Sequence, residues 1–232
     1  MLDSSTSSFA VRDLRQRIFN IGAKKTWIVF LLFMVALLLV NLAINTFVLT
    51  KGIYLSFYSE RYSDEKLKQI VTLIENENKL LSYSIIIIAY SLKIFIISIF
   101  VYTGVFLMDI KTSLVLIFRA VIFGEFIFLI PSLMLLVKFI FLVPEYSLTD
   151  VQDFSPLSLL SLFNARGLDN WMMFLLRMFN CFQILYVAVI AKVLARQLKL
   201  TIWKSLAIVS LTYGLVFLFW LAFVIFLFIN FS

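Results

Sequence analysis

The chain has 232 residues, 63% of them hydrophobic and only 14% charged, against roughly half apolar and about a quarter charged in an ordinary soluble domain. That balance excludes a water-soluble globular fold, because too little polar side chain exists to cover the apolar mass, and it leaves room for a handful of bilayer crossings at about 20 residues each. The formal charge of +7 would suit nucleic acid, but the basic residues stand mostly at the ends of apolar runs and form no continuous patch, so the charge reads as topological and no nucleic-acid partner is expected.

Residues 1–26 form a Ser/Thr-rich and then basic tail, with Arg12, Arg15, Arg17, Lys24 and Lys25 set against Asp3 and Asp13. The first apolar run, about 27–49, carries no charge and no small-residue cleavage site, which predicts a retained anchor and not a cleaved signal peptide. Its amides Asn41 and Asn45 are four apart, share one face, and are expected to look at another helix. The 50–82 loop balances Lys51, Arg61, Lys66, Lys68 and Lys79 against Glu60, Asp64, Glu65, Glu75 and Glu77. Within it Leu67, Ile70, Val71 and Ile74, with Ser63 as N-cap, predict a short amphipathic helix, either on the membrane surface, on a partner or packed on its own domain.

A second span is expected at about 83–108, interrupted by Lys93, with Asp109 and Lys111 in a tight turn before a third at about 112–143. The third holds Arg119, Glu125, Pro131 and Lys138, and a kink is expected near Pro131, whose ring removes a backbone donor. The following connector is acidic, with Glu145, Asp150, Asp153 and Asp169 against Arg166. Inside it Ser155, then Pro156 at a first helical position, then Leu157, Leu159, Leu160, Leu162 and Phe163 predict a short leucine-rich helix, in the interface or dipping into the protein; Pro156, Leu159, Leu160 and Phe163 mark it. A fourth span follows at about 171–194, then a basic link with Lys192, Arg196, Lys199 and Lys204, then a fifth at about 205–229.

With five spans the tail, the second link and the last link share one side and hold the basic excess, while the other side has a neutral loop and an acidic one. The positive-inside rule therefore predicts a cytoplasmic N-terminus and a C-terminus on the opposite side of the membrane. The expected fold is all-α: a tail of residues 1–26 followed by a single five-helix membrane domain, 27–232.

A charge near mid-bilayer costs about 2.5 to 3.5 kcal/mol on insertion scales and is usually paired or faces a cavity. Lys93 and Glu125 fall at matching depth on helices joined by a short turn, so they are predicted to meet. Arg177, Asn180 and Gln183 in the fourth span are spaced by three and would share a slowly drifting face. Lys138 and Arg177 can snorkel at the outer end and Arg119 at the inner end. This polar set reads either as a path for ions or protons or as a bundle held in register by one ion pair and a few amide hydrogen bonds.

The sequence contains no histidine, which removes His-dependent metal sites, His general bases and the His of serine triads. No Gly-rich phosphate loop occurs. Cys181 is the single cysteine, so an intrachain disulfide is impossible, and a small buried hydrophobe is expected there. No catalytic residue, metal or cofactor is expected.

From Phe154 to about Phe219 the chain resembles the Yip family of five-span membrane proteins, the Ypt/Rab-interacting group with diverged bacterial relatives. The resemblance lies in Phe154-Ser155-Pro156-Leu157-Ser158-Leu159-Leu160-Ser161-Leu162-Phe163, in the span that starts at Trp171, and in Lys199-Leu200 ahead of Trp203-Lys204-Ser205-Leu206-Ala207-Ile208-Val209. It departs from the family in lacking the Asp-Leu-Tyr-Gly-Pro signature of eukaryotic members and in having Ala191 or its neighbours where a glycine is frequent. The resemblance implies a non-enzymatic membrane adaptor in trafficking or envelope organisation, without a Rab-type partner. The leading expectation is thus a Yip-like adaptor or subunit of a membrane complex that binds the lipid bilayer and other membrane proteins through its two larger loops. The alternative is a transporter or channel subunit in which Lys93, Glu125, Arg177, Asn180 and Gln183 line a route, and a third is a membrane-embedded enzyme of unfamiliar type. Abundant Phe, Ile, Leu and Lys suggest a bacterial cytoplasmic (inner) membrane, with a Golgi or endoplasmic reticulum location as the other option.

Overall fold

In lipid a backbone N–H or C=O has no water to bond, so apolar stretches of this length close their hydrogen bonds internally as helices. The computed structural model describes residues 4–59, 62–63, 65–67, 78–163 and 168–231, without the side chains of 4–23 and 231. Its helices are α1 (Ser4–Ala43), α2 (Lys51–Ser59), α3 (Lys79–Leu107), α4 (Leu114–Glu125), α5 (Leu129–Val137), α6 (Leu148–Gln152), α7 (Asn170–Met178), α8 (Cys181–Leu198) and α9 (Ile202–Phe231). Among the described residues there is no strand, only an isolated bridge between Ser158 and Asn180. Five helical stretches are long and apolar enough to cross a membrane: Lys24–Val48, Lys79–Leu107, Leu114–Leu142, Cys181–Leu198 and Ile202–Asn230. The chain is an all-α, multi-pass integral membrane protein.

Spans two and four differ from expectation for identifiable reasons, and span three carries an irregularity near Pro131 as expected. Span two begins at Lys79 because the Asn78 side chain caps the helix, accepting from the Leu81 N–H at 3.3 Å. Span three continues from α4 into α5 through a single tighter turn at Phe126–Phe128. Pro131 lacks the donor that would reach the Ile127 carbonyl, and its ring crowds that carbonyl, so the irregularity falls one turn before the proline. Span four is not the continuous 171–194 helix: α7 stops at Met178, Phe179 and Asn180 are extended, and α8 restarts with the Asn180 side chain accepting from the Gln183 N–H at 3.1 Å.

Restarting at Cys181 leaves span four only 18 residues, about 27 Å, just short of the hydrocarbon thickness. Its outer end is completed by irregular backbone, which lipid tolerates only where protein encloses it. The 157–159 segment does so. Leu159 N–H donates to the Phe179 carbonyl at 2.8 Å and Cys181 N–H to the Leu157 carbonyl at 3.1 Å, and Ser158 is buried. At the opposite end, Lys199 closes α8 in the left-handed conformation, φ 54°.

Helix α4 packs on α1, α3 and α8, while α9 packs on α3 and α8. Helices α3, α4, α8 and α9 therefore form a ring, and α1 lies against its α4 side. The main core joins Phe33, Ile94, Val101, Ile117, Val121, Tyr186, Ile190 and Val209. It is lopsided along the membrane normal. No residue of α3 before Ile94 is buried, and beyond Tyr213 only Leu221 of α9 is, among the described side chains. The ring is close-packed in the half nearest the tail and looser in the other. A second small cluster, Val48, Phe139 and Val151, fastens the outer ends of spans one and three to α6.

Candidate functional site

Lys93 stands midway along α3, fourteen residues from each end (79 to 93, 93 to 107), or about 21 Å. Its ammonium meets the Glu125 carboxylate at 2.8 Å. The other carboxylate oxygen accepts from the Tyr186 hydroxyl at 3.0 Å, so a charge with no exposed side-chain surface has both oxygens bound. The Lys93 side chain is 37% exposed, and its ammonium lies 4.3 Å from the Phe128 ring centre, with Tyr90 at 5.5 Å and Tyr186 at 5.8 Å. Three electron-rich faces thus supply part of the stabilisation that water would give the cation outside the membrane.

Gly124 makes this geometry possible. A Cβ there would lie 2.8 Å from Ile190 and 2.9 Å from the Tyr186 ring, so only glycine lets α8 approach closely enough for the hydroxyl to reach Glu125. One turn before Tyr186, Gln183 accepts a hydrogen bond from the Tyr213 hydroxyl of α9, and the two tyrosine rings sit 4.9 Å apart. The polar groups form two linked units, Lys93–Glu125–Tyr186 and Gln183–Tyr213, spanning α3, α4, α8 and α9.

The expected meeting of Lys93 and Glu125 is present. Arg177, Asn180 and Gln183 do not share a face, because the break at Phe179 separates them. Arg177 ends α7 and reaches outward to Asp153, at 2.6 Å, and to the Gln152 carbonyl, at 3.3 Å. Asn180 caps α8, and Gln183 alone joins the intramembrane network. Tyr186, Tyr213 and Gly124 are participants that charge-based reading does not find. The available signal was tyrosine at mid-span instead of in the interfacial belt, where amphipathic rings usually collect.

On the outer side, Ser147 and Asp150 cap α6 reciprocally: Ser147 N–H and Oγ donate to the Asp150 carboxylate at 2.8 and 2.7 Å, and Asp150 N–H donates to Ser147 Oγ at 3.2 Å. The backbone and hydroxyl donors of Ser147 hold the Asp150 carboxyl below the usual carboxylate range. The Tyr146 hydroxyl donates to the Val48 carbonyl at 3.0 Å. The Lys138 ammonium lies 5.0 Å from the Phe139 ring centre and 4.8 Å from that of Phe154. The leucine-rich segment is not a helix begun by Pro156. Leu157 takes φ 54°, and a single tight turn, Leu159–Leu162, follows from Ser158. The backbone groups of Leu157 and Leu159 are engaged with Cys181 and Phe179 and cannot enter a helical ladder. Leu160 is buried, while Leu157, Leu159, Leu162 and Phe163 are exposed.

Of the amphipathic helix expected around Ser63 and Leu67, the Leu67 N–H donates to the Ser63 carbonyl at 2.9 Å; Ile70, Val71 and Ile74 lie outside the described residues. Cys181 is exposed, at the start of α8, against the buried position expected. No family model matches the chain, and no curated protein or solved structure matches it.

Proposed function

We propose that the chain is a non-enzymatic, Yip-like adaptor or subunit of a membrane complex, oriented with its N-terminus in the cytoplasm of a bacterial cell and working by contact with other membrane proteins. One observation carries the proposal: the outer 144–163 loop is held in a defined shape yet presents apolar side chains. Backbone bonds to Phe179 and Cys181, the α6 cap and the Arg177–Asp153 pair fix it, and Leu162 remains 76% exposed beside Phe163 and Leu157. On a loop between spans, exposed apolar groups held by ordered backbone favour contact with a partner or with the bilayer interface. The intramembrane ion pair is in keeping with the same function, because each Glu125 oxygen already accepts a hydrogen bond, one from Lys93 and one from Tyr186.

In mild detergent the full chain is expected to migrate within an assembly larger than itself. Leu162→Glu should release it without changing its melting temperature. Migration as a lone chain where other complexes survive, or an assembly indifferent to Leu162→Glu, would overturn the proposal.

A second reading, a transporter or channel subunit, draws on the partial exposure of Lys93 at mid-depth and on the looser outer half of the ring. Glu125→Gln separates the two: altered flux at normal protein levels favours transport, whereas lower accumulation alone favours the adaptor.

A further inference from the structure

The end of the bundle nearest the tail carries a feature that the polar network does not use. Thr26 and Trp27 of α1, Phe95 of α3, and Leu114, Val115 and Phe118 of α4 line an almost wholly apolar groove of about 220 Å³. It opens on the surface of the membrane domain, where Trp27 is 60% exposed. Its lining runs along the membrane normal. Leu114 and Val115 are the first residues of span three, and Phe95 lies twelve residues (95 to 107) inside the same end of α3, or about 18 Å deep. That is the direction and reach of an acyl chain from the interface toward mid-bilayer.

The mouth is basic. Lys24 and Lys25 directly precede Thr26, Lys111 lies three residues before Leu114, and all three are exposed. Arg119, one residue beyond Phe118, donates through Nε to Thr26 Oγ1 at 2.9 Å, which sets its guanidinium against the wall. Asp109 is the acidic residue nearest this mouth in sequence among the described residues, and it is exposed on the turn. An indole at the end of an apolar run is expected at the headgroup level, which would put the neighbouring lysines at the height of a lipid phosphate.

We propose that this groove binds one anionic phospholipid from the leaflet on the side of the tail, with an acyl chain along Val115, Phe118 and Phe95 and the phosphate held by Lys24, Lys25 and Lys111. Occupancy fills the space between α1, α3 and α4 with hydrocarbon and matches three cations with an anion.

The test is native mass spectrometry of the full chain with phosphatidylglycerol or phosphatidylcholine of identical acyl chains, and with glycerophosphoglycerol as the headgroup alone. Phosphatidylglycerol should be retained preferentially, and the headgroup alone should not. Neutralising Lys24, Lys25 and Lys111 to Gln one at a time, all of them exposed, should reduce its retention roughly fivefold per lysine and leave phosphatidylcholine unchanged, with terminal reporter tags showing that the orientation is kept. Val115→Phe should plug the groove and lower retention of both lipids at unchanged melting temperature. If that variant does not fold, Phe95→Trp at the far end of the groove supplies the same measurement. Equal retention of the two lipids, a lysine-independent preference, or full retention in the plugged variant would overturn the proposal. So would displacement of lipid by a second copy of the chain.

Discussion

Glu125 has no exposed surface, and both its oxygens are engaged, by Lys93 at 2.8 Å and Tyr186 at 3.0 Å. Breaking such a pair from one side strands the other charge, a loss of about 3 to 5 kcal/mol, whereas replacing both partners with apolar groups is often neutral or better. Glu125→Gln should therefore lower thermal stability in detergent severely, and Lys93→Met with Glu125→Leu should recover most of it. Tyr186→Phe removes one neutral donor and should cost roughly 0.6 kcal/mol, up to about 1.7. Melting curves followed by size-exclusion fluorescence give this order, and a double variant as unstable as Glu125→Gln would contradict it.

Between helices the controlling residues are small. A Cβ at Gly104 would strike the Thr212 methyl and lie 3.3 Å from Ile208, so Gly104→Ala should force α3 from α9 at a cost of about 1 to 3 kcal/mol. Thr212→Ser in the same chain removes the obstructing methyl and should restore the melting temperature; a pair that merely adds its two losses would refute this contact. The α6 cap responds to acid. Donation from Ser147 lowers the Asp150 carboxyl in the folded state, so the cap's contribution is complete above the ordinary carboxylate range and disappears as pH falls through the lowered value. Ser147→Ala should raise the Asp150 titration, read by carboxyl NMR, and move the loss of amide protection in 147–152 to higher pH.

Five helices long and apolar enough to cross a membrane are an odd number, which would place the two ends of the membrane domain on opposite faces, and the lysine and arginine distribution predicts that the N-terminal end is inside. Reporter tags at Met1 and Ser232 should thus register in different compartments, the first in the cytoplasm. Their appearance in the same compartment would refute the odd count and, with it, the side assigned to the 144–163 loop.

Hydropathy and length alone were sufficient for the all-α class and the five apolar segments, because the bilayer imposes a fixed thickness and forbids unpaired backbone. Charge and depth were sufficient for Lys93 with Glu125, since a short turn between two helices aligns their midpoints. The break at Phe179–Asn180 escaped that reasoning. Residues 171–194 contain no proline or glycine, and the interruption exists because the 157–159 segment captures the backbone groups that a continuous helix would use. That partner is some twenty residues away, and its position follows only from packing. Tyr186, Tyr213, Gly104 and Gly124 depend likewise on which helices become neighbours. A periodicity along one segment specifies a face; the identity of what meets that face is settled by the assembled ring.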